Sequence, residues 1–325
     1  TSFAIICDVL LSYLSAIWPT INDGITRTVL VTAIVIVLTT INYLGVRHAA
    51  RMSNVFAVMK LVPLAMFVLV GIWFIEPGHF QFQPMPNANT LALAIMVLIF
   101  AFSGFEVATI NAGEVQNPEK AFPYALFVTV ALVLVFYLAI QIVAIGTLPS
   151  LATSSRPLAD AATVFVGPVG AVVIVVGAII STSGTLNAGL LGGSRLPYAM
   201  AQENQVPSFF GQTHTKYHTP TSSLMITAVA CWLACLTFNF VEALTINSVI
   251  RLITYAIVCA ALPVLRRRPD TRPPNYVVRM GPWVSGSALL LCAWLLSRVS
   301  VAEVLQVSGA IVLGGILYGL SAIRR

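Results

Sequence analysis

Charge is what this sequence most lacks. Of 325 residues only 9% are Asp, Glu, Lys or Arg, while 58% are hydrophobic. Soluble globular domains carry roughly 25% charged residues, because they must present a polar surface to water. This chain cannot make such a surface, so lipid takes the place of water around most of it. Cysteine is also sparse. Cys7, Cys231, Cys235, Cys259 and Cys292 all lie inside apolar runs, where free Cys behaves as a small hydrophobe, and no disulfide framework is read from them. Cys231 and Cys235 are four apart, which is not the C-x-x-C spacing of a redox or zinc site.

Catalytic signatures are missing as well. The histidines His48, His79, His214 and His218 fall in or near loops, and none forms H-E-x-x-H. No G-x-S-x-G elbow occurs, and Gly192-Gly193-Ser194 lacks the Lys of a phosphate loop. His214 and His218 are spaced i, i+4, but Lys216-Tyr217 between them and Thr219-Pro220 after them read as a loop rather than a metal site. No cofactor, no metal and no enzymatic role are expected. The apolar run at Thr1 has neither a positive n-region nor a polar c-region, so it is not a signal peptide. The chain is read as starting inside a membrane span, as a fragment.

What is present is apolar sequence in long blocks. Ten segments cover about residues 2–18, 29–46, 54–75, 91–113, 122–148, 167–193, 222–240, 243–265, 281–298 and 301–322. Each is long enough to be expected to cross a bilayer as a helix. Breaks such as Trp18-Pro19, Glu76-Pro77-Gly78, Asn117-Pro118 and Arg268-Pro269 separate them. The runs are continuous, without the period-two alternation of a barrel. If every segment crosses, one side holds Arg47, Arg51, Lys120, Arg195, Lys216, Arg266, Arg267, Arg268, Arg272, Arg279, Arg324 and Arg325, and the other only Arg27, Arg156 and Arg298. The richer side is then cytoplasmic, with the C-terminus. The net charge of +6 is thus a matter of topology, with room for anionic-lipid contact, and not a nucleic-acid surface.

Charged side chains inside the apolar segments are expensive and therefore informative. Glu106 lies near the middle of its run, after Phe100-Ala101-Phe102-Ser103-Gly104-Phe105, and Thr109, Asn111 and Gly113 follow. One reading is a discontinuous helix whose freed backbone groups bind a polar substrate; the other is an ordinary span with Glu106 buried neutral. Lys60, six residues past Asn54, lies about 9 Å into its run at 1.5 Å per residue. It can snorkel to the interface, or act as a buried amine that desolvation disposes to bind and release a proton. Asp8 and Arg251 are expected to find structural partners. The run Ser181 to Gly189 is unusually polar and small, and Gly184, Ala188 and Gly192 share one face on which a helix can approach closely.

Four stretches carry a resemblance to a known family. They are Asn42-Tyr43-Leu44-Gly45-Val46-Arg47 with Asn54 and Lys60; Phe100 to Pro118, including Gly104-Phe105-Glu106 and Gly113-Glu114-Val115; Asn187 with Ser194-Arg195, Tyr198-Ala199-Met200-Ala201 and Pro207; and Leu265-Arg266-Arg267-Arg268-Pro269. In order and spacing the sequence resembles the amino acid–polyamine–organocation (APC) superfamily of permeases, N-terminally truncated. The resemblance implies an all-α integral membrane protein of LeuT-type inverted-repeat transporter fold, with about ten transmembrane helices present, spans 3–12 of an expected 12. Residues 1–325 would form one transporter domain. Within it, 1–75 are the remnant of a first repeat, 91–265 a second repeat, and 281–325 two additional spans.

By the same resemblance, Phe100, Ala101, Phe102, Ser103 and Gly104 match the unwound stretch that meets substrate. Phe100 and Glu106 match gating positions. Lys60 matches a proton-coupling lysine faced by Ser181, Ser183 and Thr185. The implied activity is proton-coupled secondary active transport of an amino acid or related amine by alternating access in the cell membrane. The partners are then a small-molecule substrate, protons and the lipid bilayer, with no nucleic acid. Two other classes stand beside it: a non-transporting partner or sensor subunit or inactive fragment, and an intramembrane acid/base enzyme using Glu106 or Asp8. The last lacks a nucleophile–His pair and a metal constellation.

Overall fold

The computed structural model describes the backbone of residues 1–22, 24–44, 46–80, 84–105, 117–217, 219–268 and 277–322. Its secondary structure there is helical: α1 (Ser2–Leu14), α2 (Gly24–Leu44), α3 (Val46–Gly71), α4 (Ala88–Phe102), α5 (Pro118–Thr147), α6 (Pro157–Val166), α7 (Pro168–Gln202), α8 (Thr221–Thr237), α9 (Phe240–Arg267), α10 (Gly281–Leu296) and α11 (Val301–Ala322). Local chemistry starts several of them. Asn87 caps α4 by accepting from the Thr90 N–H at 2.9 Å. Before α9, Asn239 accepts from the Glu242 N–H, and the Glu242 carboxylate accepts from the Asn239 N–H. Ser300 and Glu303 repeat this reciprocal arrangement before α11. Pro157, Pro168 and Pro282 fall in the first turns of α6, α7 and α10, where a missing N–H costs nothing.

The expectation of about ten spans in a LeuT-type fold is corrected by the helix lengths. Among the described residues four helices are long and apolar enough to cross a membrane: Gly24–Leu44, Lys120–Thr147, Pro168–Gln202 and Phe240–Arg267. Among the shorter ones, Ala88–Phe102, Pro157–Val166, Thr221–Thr237 and Gly281–Leu296 are apolar helices of 10–17 residues, which at 1.5 Å per residue fall short of a hydrocarbon core about 30 Å thick. The cause is local. The apolar run at the start of the chain ends as helix at Leu14, before Trp18 and the short 3-10 turn Pro19–Asn22. The run expected over 91–113 stops at Phe102. Apolar composition marks where helices form, but not where they end. The chain is an all-α, membrane-associated protein.

Two compact units divide the described chain. The first takes α1, α2, α3, the part of α5 from Tyr137, and α6 to α8. Helix α7 is its hub, packed by α1, α2, α3, α6 and α8. Phe67, Val143, Ala144, Leu148, Ala159, Ala161, Ala162, Ile174 and Val175 form its core. A Cβ at Gly177 would stand 2.7 Å from the Pro63 ring, and one at Gly146 would stand 2.8 Å from the Ile75 side chain. These helices touch because those positions carry no side chain. Asn42 of α2 donates to the Leu38 carbonyl and to the Asn187 amide oxygen of α7, both at 2.8 Å. Trp232 of α8 donates to the Thr32 hydroxyl at 2.9 Å.

Apolar helices also carry hydroxyls at little cost when these turn inward. On α2, Thr28, Thr32 and Thr40 donate to the carbonyls of Gly24, Thr28 and Ile36, so each hydroxyl is satisfied within its own helix.

The second unit takes α4, α5 as far as Phe136, α9 from Leu244, α10, and α11 as far as Ile311. Ala92 and Met96 of α4, Leu252 of α9, and Cys292 and Leu295 of α10 make its core. Ser248 of α9 donates to the Met96 carbonyl at 3.2 Å, fully buried.

The Pro63–Gly177 contact yields a test of the first unit. Gly177→Leu forces α3 off α7 and should destabilise the fold by about 1–3 kcal/mol, read as a lowered unfolding midpoint in detergent, with Gly177→Ala between it and wild type. An unchanged midpoint for the leucine variant would show that the contact holds nothing together.

Candidate functional site

The strongest local anomaly lies at the end of α4. Its last turn contains Phe100, Ala101 and Phe102, and Ser103 then turns extended at φ −77°, ψ 161°. The Ser103 N–H and hydroxyl both donate to the Phe100 carbonyl, at 3.1 and 2.6 Å, which closes the helix end. Gly104 follows at φ +113° with open space around it, a backbone state that side-chain-bearing residues rarely adopt. The helix thus ends inside apolar sequence by specific local bonds. Phe100, Phe102 and Ser103 are half-buried, whereas Ala101 and Gly104 are exposed. Phe105 stacks on Tyr255 of α9, ring centres 6.1 Å apart and 20° from parallel. Glu106, expected to gate, lies outside the described residues.

The Lys60 group sits in the first unit. Pro63 of α3 meets Gly177 of α7, and Phe67 further along α3 clusters with Ile174 further back on α7, so the two helices run antiparallel. Lys60, one turn before Pro63, therefore comes level with Ser181, one turn after Gly177. Lys60 is exposed and Ser181 is half-buried.

The expected trio does not share one face of α7. At 100° per residue Thr185 lies near Ser181, but Ser183 lies on the far side. There Ser183 lines a cavity of about 310 Å³ with Leu10, Ala33, Ile34, Val37, Leu38 and Leu186. The Thr185 hydroxyl donates to the Ser181 carbonyl at 2.9 Å. By helix register Ser181 thus comes to about the Lys60 level, Thr185 lies one turn further along α7, and Ser183 faces the other side.

Other expectations resolve simply. Asp8 pairs with Arg27 of α2, so this acid is structurally partnered. On α7, Gly177 meets Pro63, whereas Gly192 has open space where a Cβ would stand. The His214 ring stacks on Tyr217 and meets Tyr43 edge-on, while its Nδ1 accepts from the N–H groups of Lys216 and Tyr217. His218 lies outside the described residues. Among the described residues no cluster of three or more His, Cys, Asp or Glu side chains could hold a metal ion.

Tyr255 is the residue that sequence reasoning passed over. A phenol on an apolar helix reads as ordinary core, but its spacing carried a signal. Ser248, Arg251 and Tyr255 fall at i, i+3 and i+7, one polar stripe along α9.

The chain matches the family described as amino acid permease over residues 1–316. It is 28% identical over 291 residues to an uncharacterised protein of Methanocaldococcus jannaschii, covering 86% of this chain and 66% of that protein. It is 27% identical over 269 residues to the methylthioribose transporter of Bacillus subtilis, covering 81% of this chain and 57% of the transporter. The branched-chain amino acid permease of the same bacterium is 23% identical over 294 residues, covering 88% and 62%. The chain thus spans about three fifths of the length of these relatives. With nearly its whole length matched, the chain belongs to the amino acid permease family.

Proposed function

We propose that the protein is a secondary active transporter that moves amino acids or related amines across the cell membrane by alternating access, coupled to protons. The observation that carries this reading is the end of α4 at Phe102 within apolar sequence, with Ser103 extended and Gly104 at φ +113°. A helix that ends at membrane depth presents backbone polar groups where lipid offers none, and this is tolerated where the segment lines a cavity or binds a polar solute. Phe100, Ala101, Phe102, Ser103 and Gly104 are then the substrate-binding stretch, with Phe100 and Glu106 gating it. Membership of the amino acid permease family supports the substrate class. One similar transporter is named for methylthioribose and another for branched-chain amino acids, so identity at this level leaves the side-chain preference to the site. Glu106 is the acidic residue nearest the break in sequence, and a neutral amino acid suits a site with so little negative charge better than a cationic one.

Proton coupling is assigned to Lys60, whose ammonium takes up and releases the coupled proton at about the level of Ser181, with Thr185 one turn further along α7 and Ser183 on its other side. The basic loops and the C-terminus face the cytoplasm.

The reading is tested on the complete protein reconstituted in liposomes. An inward-directed proton gradient should drive accumulation of at least one of the twenty amino acids, and the absence of binding or uptake for all of them would overturn it. Lys60→Ala should abolish gradient-driven accumulation while leaving amino acid binding within a few-fold of wild type; accumulation that still follows the gradient would remove Lys60 from the coupling. Gly104→Val forces a β-branched residue into the left-handed region and should cost about 1–3 kcal/mol at the break. Substrate affinity should fall with it, whereas Gly189→Val, at an exposed glycine with open space around it, should leave affinity unchanged.

A further inference from the structure

The Tyr255 hydroxyl is a buried polar atom that the fold does not use. It is shielded from solvent and has no hydrogen-bond partner, although the ring below it is stacked on Phe105. Buried tyrosine hydroxyls usually find a partner. One left without a partner calls for an explanation outside the fold, such as a solute or a water.

Its position supplies that explanation. Phe105 directly follows Gly104, so the stack sets Tyr255 beside the end of α4. On α9, Ser248 lies two turns earlier and is tied to the Met96 carbonyl, while Leu252 packs into the core with Ala92 and Met96. Helix α9 is therefore fixed against α4 from Met96 onward, and the phenol is held where α4 stops. The C-terminal end of a helix carries the negative pole of its dipole and favours a cation. An amino acid lying there with its ammonium toward that end needs a donor for its carboxylate, and a phenol O–H is such a donor.

We propose that Tyr255 is a substrate-binding residue whose phenol O–H donates a hydrogen bond to the carboxylate of an amino acid held at the Phe100–Gly104 break, with the Phe105 ring as the brace that aims it. This rests on the transport reading above and adds to it the group that recognises the carboxylate.

The test compares binding of radiolabelled amino acids to the purified, complete protein with binding of the amines left when their carboxylates are removed, such as leucine against isoamylamine. Tyr255→Phe keeps the stack and removes only the donor. It should weaken every amino acid that binds by about tenfold, leave the matching amines unchanged, and keep the wild-type unfolding midpoint. Tyr255→Ala removes the brace too and should weaken both. Equal affinities for Tyr255→Phe and wild type, or equal losses for amino acid and amine, would overturn the proposal while leaving the transport reading standing. A wild-type protein that binds none of the amino acids would overturn both.

Discussion

Helix α7 can lie against α3 because residue 177 has no side chain. The Pro63 ring occupies the space where a Cβ would stand, and from that contact the register of the two helices follows. Phe67 shares a core cluster with Ile174 and Val175 on one side of it, and Lys60 comes about level with Ser181 on the other. Between apolar helices in lipid there is no hydrophobic drive to associate, so contact depends on close packing and on the few polar groups that meet. The Asn42–Asn187 bond is one such meeting. Both residues are almost fully buried, and they tie α2 to the hub at 2.8 Å.

The second unit follows another logic. Its core is small, drawn from α4, α9 and α10, and its distinctive feature is an ending. Ser103 folds its own N–H and hydroxyl back on the Phe100 carbonyl, Gly104 supplies a backbone angle closed to most residues, and Phe105 is taken up by an aromatic stack on α9. An interruption of this kind is a specified structure, fixed by named bonds and ring contacts.

Much of this was legible in the residues, and the failures have definite causes. Apolar runs named the helices well, because a block of hydrophobic residues has few other ways to satisfy its backbone. They overstated helix length, because composition does not register a Ser-Gly pair as a terminus or a Trp-Pro step as a turn. The partner expected for Asp8 exists, but Arg27 lies nineteen positions away, beyond the range of helical spacing rules. Small-residue spacing along α7 did not single out Gly177, which meets Pro63, since only the neighbouring helix decides which glycine it meets. Tyr255 was invisible for a related reason: nothing in a single phenol announces that its oxygen will be left unpaired. The three hydroxyls set opposite Lys60 by family resemblance were separable by arithmetic, since residues two apart on a helix point nearly opposite ways.

The Asp8–Arg27 pair has a consequence for how the protein is made. Helix α1 carries a carboxylate that would be costly to leave in hydrocarbon by itself. Helix α2 brings the matching guanidinium in its first turn. Paired, the two side chains leave no net charge at their contact. The order of synthesis favours this, because Arg27 emerges from the ribosome within twenty residues of Asp8, while the carboxylate is still near the exit. The carboxylate of α1 thus need not enter lipid as a lone charge, because the next helix carries its partner.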